Sequence, residues 1–248
     1  MNPYKNLISN TFLFGVSTFG ARFLTFLLTP FYTRVLSSTE YGITDLLIQT
    51  GNLLIPIASA GIANGVIRYG LERSTNKASV FTVGLLTTLA GFALLLLTYP
   101  VLDSIPFLSG YVPVLTLATT FACLGSFLSS VYMVEQRSTA TLVTTMLGAA
   151  CNLAGNFFLI QLWGSMGAAV STLFSYALIF SVRVIHTRTM LRIRWSIPKA
   201  FFSVLFLGVQ CIVMEADVGL WPVWSGICLL LVCAVHFNVL LSAARKSI

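Results

Sequence analysis

The sequence predicts an all-α membrane protein, a polytopic helix bundle with about eight transmembrane helices. Three observations lead there. Of the 248 residues, 57% are hydrophobic and only 8% are charged, whereas a soluble domain carries about 25% charged residues. The mean hydropathy is +0.91. Finally, uncharged stretches recur at about the 20-residue length that a hydrocarbon-spanning helix needs. These stretches are continuous runs of Leu, Phe, Ala and Val, not the alternating segments of about ten residues that build a transmembrane barrel.

Taken in order, Met1 to Asn6 lacks a basic cluster and no small-residue cleavage signal follows, so Thr11 to Leu36 reads as a retained helix. Arg22 and Pro30 interrupt it. The second span, Leu46 to Ile67, is uncharged but contains Asn52, Pro56 and Asn64. Pro30 and Pro56 remove backbone donors and are expected to bend the first two helices. A third span runs from Ala78 to about Leu102 and a fourth from about Pro113 to Val134. Ser138 to Val182 then has no charge for 45 positions, too long for one ordinary crossing at about 1.5 Å per residue. Two helices, near Leu142 to Leu162 and Gly167 to Ile185, joined by a tight turn containing Gln161, Trp163, Gly164 and Ser165, account for it. Ala200 to Met214 reaches only about 22 Å as a helix and either extends towards Val218 or is re-entrant. Leu220 to Leu241 is the eighth span, with Trp221 and Trp224 at its outer end.

Loop charge tests the count independently, because cytoplasmic loops are enriched in Lys and Arg. With Lys5 inside, the inner loops hold Arg68, Arg73 and Lys77, then Arg137, then Arg183, Arg188, Arg192, Arg194 and Lys199, and Arg245 and Lys246 return to that side. The outer loops hold Arg34 as their basic residue, together with Glu40, Asp103, Glu215 and Asp217. An even number of spans with both termini cytoplasmic follows.

The formal charge of +7 is thus a topology signal, and no nucleic-acid motif accompanies it. The five cysteines lie inside apolar stretches without metal-site spacing and read as packing residues. His186 and His236 have no carboxylate and nucleophile beside them in sequence. Without a dinucleotide fingerprint, a Walker loop or a metalloprotease motif, no enzyme activity and no cofactor is expected.

Polar residues within spans carry the functional signal. Arg22 costs about 2.5–3.5 kcal/mol at mid-span unless it faces protein, water or a partner, so it is expected to face inward, either as a cationic point on a solute route or as a structurally paired arginine. Asp45, Asn52, Asn64 and Arg68, at or near the second span, are spaced to turn inward. They either line a cavity with Arg22 or serve as interfacial charges and interhelical hydrogen bonds. Gly148, Asn152 and Asn156 form a stripe at four-residue spacing, and Gly164, Gly167 and Ala168 permit a close turn; both features read as packing.

Three stretches carry a family resemblance. The first comprises Arg22, Thr29-Pro30-Phe31-Tyr32-Thr33-Arg34, Glu40-Tyr41-Gly42, Asp45, Ile55-Pro56, Gly61 and Ile67-Arg68-Tyr69. The second runs from Tyr132 to Thr139, through Asn152, Asn156 and Gly164 to Thr172, then Ser175-Tyr176, Arg183 and Thr187-Arg188. The third, from Ile193 to the carboxyl end, matches more loosely. In this order they resemble the bacterial polysaccharide flippases, the O-antigen and capsule-repeat exporters of the multidrug, oligosaccharidyl-lipid and polysaccharide exporter superfamily. Those exporters have a dozen or more helices in two lobes. Here residues 1–102 resemble the first lobe and 111–248 the end of the second, as if an even number of central helices were missing.

The resemblance implies a bacterial cytoplasmic-membrane protein that moves undecaprenyl-pyrophosphate-linked oligosaccharide repeat units across the bilayer by alternating access. Arg22 resembles a first-helix basic residue that attracts the pyrophosphate, and Asp45, Asn52, Asn64 and Arg68 complete the implied substrate-binding set. Expected partners are membrane lipids, the lipid-linked oligosaccharide, and a homo-oligomer or polysaccharide-assembly proteins, with no nucleic acid. The competing expectation is a nontransporting shortened remnant or membrane assembly component.

Overall fold

The structure, a computed structural model, describes residues 28–72 and 77–188 except 98, together with single helical positions between 12 and 26. Among them the chain is entirely helical. Helical residues 28–35 form α1, followed by α2 (Ser38–Ser59), α3 (Ile62–Gly70), α4 (Lys77–Leu97), α5 (Tyr99–Asp103), α6 (Val112–Val134) and α7 (Ser138–Thr187).

The start of α2 is fixed by a capping box. Ser37 Oγ accepts from the Glu40 backbone N–H, and the Glu40 carboxylate accepts in return from the Ser37 N–H at 3.0 Å and its hydroxyl at 2.8 Å, so two otherwise orphaned donors of the first turn are satisfied. The same two bonds hold the Glu40 carboxyl below its usual value. At the other end, Ala60 (φ 47°) and Gly61 (φ 63°) both adopt the left-handed conformation, and α3 leaves α2 at 47°. The expected bend is therefore present, but four residues beyond Pro56: the proline stays inside the helix, and the left-handed pair supplies the change of direction.

Helix α7 contains two limbs. Its 50 residues are interrupted at Gly164, where φ 54° and ψ −133° are not helical, a combination reserved for glycine. The limbs fold back antiparallel, and contacts fix their register. Ser171 Oγ donates to the Asn152 carbonyl at 3.0 Å and Asn152 Nδ2 to Thr172 Oγ1 at 3.3 Å. A Cβ on Gly155 would meet Ser171, one on Gly148 would strike Ile179, and one on Gly167 would strike the Leu159 carbonyl. The uncharged 45-residue run is thus a hairpin that turns within the expected tetrad of Gln161, Trp163, Gly164 and Ser165. Asn152 bridges the two limbs through Ser171 and Thr172, and Asn156, one turn further on the same limb, donates its Nδ2 to both the Asn152 carbonyl and side chain.

Helix α6 lies against this hairpin and also touches α2, α3 and α4. Val66, Phe81, Phe127, Leu128, Val131 and Val134 form one apolar cluster at the end of the bundle where α3, α4 and α6 meet. At the other end, Leu47, Leu108 and Val112 form a second, and the Tyr111 hydroxyl lies 2.6 Å from Ser165 Oγ. Gly91 brings α4 onto α2 so closely that a Cβ would collide with the Ala58 carbonyl, the small-residue approach that lets membrane helices pack.

Beside its apolar core the bundle buries many hydroxyls and exposes large apolar side chains. Thr116, Thr119, Thr120, Thr144, Ser171 and Ser175 are buried, while Phe157, Phe158, Phe174 and Ile185 are more than half exposed. Most of these hydroxyls donate to a carbonyl of their own helix, while Ser171 reaches across to the other limb, and large apolar side chains also occupy the outer surface. Two helices, α6 and α7, each with a mean hydropathy of 1.7, are long and apolar enough to cross a membrane, and the bent α2–α3 pair makes a third. At about 1.5 Å per residue each limb of α7 exceeds the roughly 30 Å hydrocarbon core. This is fewer than the expected eight among the described residues. The third expected span is covered by α4 and α5 on either side of residue 98, which lies outside the described residues, as do the spans at Ala200 to Met214 and Leu220 to Leu241.

The hairpin reversal generates a prediction. A Cβ at Gly164 would lie 2.5 Å from Glu40 Oε1 and require a backbone conformation foreign to other residues. Gly164→Ala is expected to destabilise the fold by about 1–3 kcal/mol, read as a lower unfolding midpoint in detergent. An unchanged midpoint would contradict the reversal.

Candidate functional site: a polar groove between α2, α3, α6 and α7

Two chambers lie in line inside the bundle. The smaller, about 80 Å³, is bounded by Tyr32 of α1, Thr44, Leu47, Ile48, Gly51, Asn52 and Ile55 of α2, Leu115, Ala118 and Thr119 of α6, and Ala168, Ala169, Thr172 and Tyr176 of the second limb of α7. The larger, about 420 Å³, is bounded by Ala63, Asn64 and Ile67 of α3, by Gly125, Ser126, Ser129 and Ser130 of α6, and by Thr145, Ile179 and Arg183 of α7. Ile55 and Tyr176 border both, so the chambers adjoin along one groove whose lining is mainly apolar, with polar side chains set into it. At about 30 Å³ per molecule, the larger one has room for roughly a dozen waters.

Helix periodicity explains which expected residues reach the groove. On α2 the lining positions 44, 47, 48, 51, 52 and 55 cover one face at about 100° per residue. Asn52 stands at the margin of that face, and Asp45 is turned roughly 20° further away. Accordingly Asn52 lines the smaller chamber, whereas Asp45 is exposed and lines neither. Asn64 lines the larger chamber. Arg68 is exposed and lines neither, its guanidinium lying 5.8 Å from the Tyr69 ring centroid. Arg22 lies outside the described residues. Of the five expected residues, the structure therefore gathers Asn52 and Asn64 along one groove and leaves Asp45 and Arg68 off it.

The charged residue in the groove is Arg183, which loop-charge reasoning assigned to a cytoplasmic loop. Helix α7 continues past it to Thr187, and Arg183 is only 6% exposed. Its Nε donates to Thr144 Oγ1 at 3.0 Å, Nη1 to the Gly125 carbonyl at 2.7 Å, and Nη2 to Thr145 Oγ1 at 3.0 Å. One side chain thus ties both limbs of the hairpin to α6. The signal was present in the sequence: Val182, Val184 and Ile185 flank the arginine, the same interruption of an apolar run that singles out Arg22. One turn further on, His186 Nδ1 lies 3.1 Å from the Tyr132 hydroxyl.

Neither chamber is lined by Asp or Glu, and no group of His, Cys, Asp or Glu among the described residues is placed to hold a metal ion. Within a mainly apolar lining the groove offers hydroxyls, amides and one guanidinium, groups that can bind polar or anionic matter. No family model matches the chain, and no curated protein or solved structure matches it.

A water-filled groove should be chemically accessible from solution. In a background from which the native cysteines have been removed, Asn64→Cys and Ser126→Cys are expected to react with a membrane-impermeant cationic methanethiosulfonate in detergent-free vesicles. Phe158→Cys, on the exposed apolar surface, is expected to stay unlabelled. Equal protection of all three would show that the larger chamber is dry.

Proposed function

We propose that this chain is a bacterial cytoplasmic-membrane protein that moves an undecaprenyl-pyrophosphate-linked oligosaccharide repeat unit between leaflets, as part of polysaccharide biosynthesis. The observation that carries the reading is the groove: Thr44, Asn52, Thr119, Thr172, Asn64, Ser126 and Arg183 set into a mainly apolar lining, in a bundle that exposes large apolar side chains. A sugar headgroup is too polar to enter hydrocarbon unaided, because each unsatisfied hydroxyl costs several kcal/mol in a medium without hydrogen-bond partners (about 4–8 on a hydrocarbon transfer scale). Neutral hydroxyls and amides substitute for water along such a route while the lipid tail stays in the bilayer.

The ordered resemblance of residues 1–102 and 111–248 to the two ends of an exporter supports the same reading, as does the segregation of basic from acidic loops. In this reading the chain crosses the membrane about eight times in an exporter-like arrangement, with both termini cytoplasmic. Arg22 attracts the pyrophosphate, Asn52 and Asn64 contact the sugar, and Asp45 and Arg68 stand at the margins of the path. No covalent step is needed. Membrane lipids and the lipid-linked oligosaccharide are the ligands, and a second copy or polysaccharide-assembly proteins complete the helix complement of the shortened chain.

Dual-reporter mapping is expected to place the Arg188 to Lys199 segment on the cytoplasmic side and Glu215 to Asp217 on the other. The same side for both would overturn the eight-span topology.

Transport itself is tested by reconstitution at matched protein amounts. Vesicles with the unmutated chain are expected to translocate a lipid-linked oligosaccharide faster than empty vesicles. Arg22→Ala is expected to be slowed about tenfold, the equivalent of roughly 1.4 kcal/mol lost from a charge-assisted contact, and Arg22→Lys less so because it keeps charge without the planar fork. Translocation at the empty-vesicle rate by the unmutated chain would favour the nontransporting remnant.

A further inference from the structure

We propose that Arg183, with the serine hydroxyls and the Asn64 amide set into the larger chamber, forms a binding site for a phosphate-type anion, a phosphate ester or a pyrophosphate. Arg183 is the one charged residue among the buried described side chains. All three of its hydrogen bonds go to neutral oxygens, two threonine hydroxyls and one carbonyl. These hold the guanidinium in place, and none of the described residues that it bonds carries a compensating charge, whereas a buried charge is stable only when paired or otherwise fully solvated.

A guanidinium has five N–H donors. With one on Nε, one on Nη1 and one on Nη2 engaged, a donor remains on each terminal nitrogen. Two terminal donors are what an arginine offers to the paired oxygens of a phosphate. The chamber that Arg183 lines adds Asn64, Ser126 and Ser129, whose side chains make no hydrogen bond among the described residues. It is also bounded by no carboxylate, so it repels no anion. A cationic ligand would find no counter-charge there.

The site does not depend on transport. It would supply a phosphate contact at the α6–α7 end of the groove, additional to the one assigned to Arg22, if the chain translocates, and an anion site in any case. The same chemistry is presented by a free anion and by a lipid headgroup, and the experiment separates them.

Purified full-length protein in neutral detergent is titrated with inorganic pyrophosphate, with a soluble prenyl pyrophosphate and with the corresponding prenol, following the unfolding midpoint and the heat of binding. Either pyrophosphate compound is expected to raise the midpoint, and the prenol alone is not. Stabilisation by inorganic pyrophosphate identifies a site for the anion itself. Stabilisation by the prenyl compound only identifies a lipid-headgroup site. Arg183→Gln is expected to weaken binding about tenfold or more. Because that change also removes the tie between helices, a second variant, Ser126→Ala with Ser129→Ala, serves as the control for folding. It is expected to keep the ligand-free midpoint while binding pyrophosphate several-fold more weakly. Absence of stabilisation by both pyrophosphate compounds, or affinity unchanged in both variants, would overturn the site. Binding that fails in these variants while translocation is absent in the unmutated chain would sink the transport reading and leave the site standing. Translocation without any anion binding would do the reverse.

Discussion

The backbone reversal at Gly164 is the constraint on which the rest of the bundle depends. In hydrocarbon every backbone donor and acceptor must be satisfied within the protein, so a long apolar run can double back only at one sharply defined point. Gly164 supplies that point through a φ and ψ that other residues avoid. The register of the two limbs then follows. It sets Ser171 against Gly155, Ile179 against Gly148, and Arg183 against Thr144 and Thr145. A reversal displaced by one residue would rotate the second limb by about 100° and carry Arg183 away from its acceptors. The groove is thus a by-product of a turn placed at the opposite end of the hairpin.

How much of this was legible in the sequence depended on which physical signal was in play. Hydrophobic run length is strong, so the 45-residue uncharged stretch announced two helices, Pro113 to Val134 matched α6 almost residue for residue, and the helical class followed from composition. The location of the α2–α3 bend was less accessible. Pro56 only removes one donor, whereas the left-handed pair Ala60–Gly61 redirects the chain, and Ala60 gives no sign of that in isolation. Among site residues, Asn52 and Asn64 were found because an amide in a span must face something polar. Asp45 misses the groove by a small helical rotation, which spacing alone resolves poorly near the edge of a face. Arg183 was missed because an arginine near the end of a span is counted with its loop. Only the distant Gly125 carbonyl and the hairpin hydroxyls reveal that it is kept inside.

The buried hydroxyls have a further physical meaning for the groove. Threonine and serine hydroxyls on these helices largely donate back to the carbonyl four residues earlier, as Thr44 does to Glu40, Thr120 to Thr116 and Ser175 to Ser171. Such hydroxyls cost little to bury, and those that line the groove, Thr44, Thr119 and Thr172, keep a lone pair for a further partner. A lining built this way is wettable without carrying charge. Electrostatic selectivity within the described groove is consequently concentrated at one end, where the guanidinium sits, while the chamber at the other end is neutral.

The three acceptors of Arg183 also impose an order on assembly. Two of them stand on the facing limb of its own hairpin and the third on α6. Before the limbs close, the guanidinium lacks these acceptors, and a charge without acceptors stays with water in preference to apolar surroundings. Closure of the hairpin provides the first two and docking onto α6 the third. The arginine therefore acts as a late latch, leaving water only when its three helical segments are already side by side, and a chain whose hairpin has closed in the wrong register has nowhere to put it.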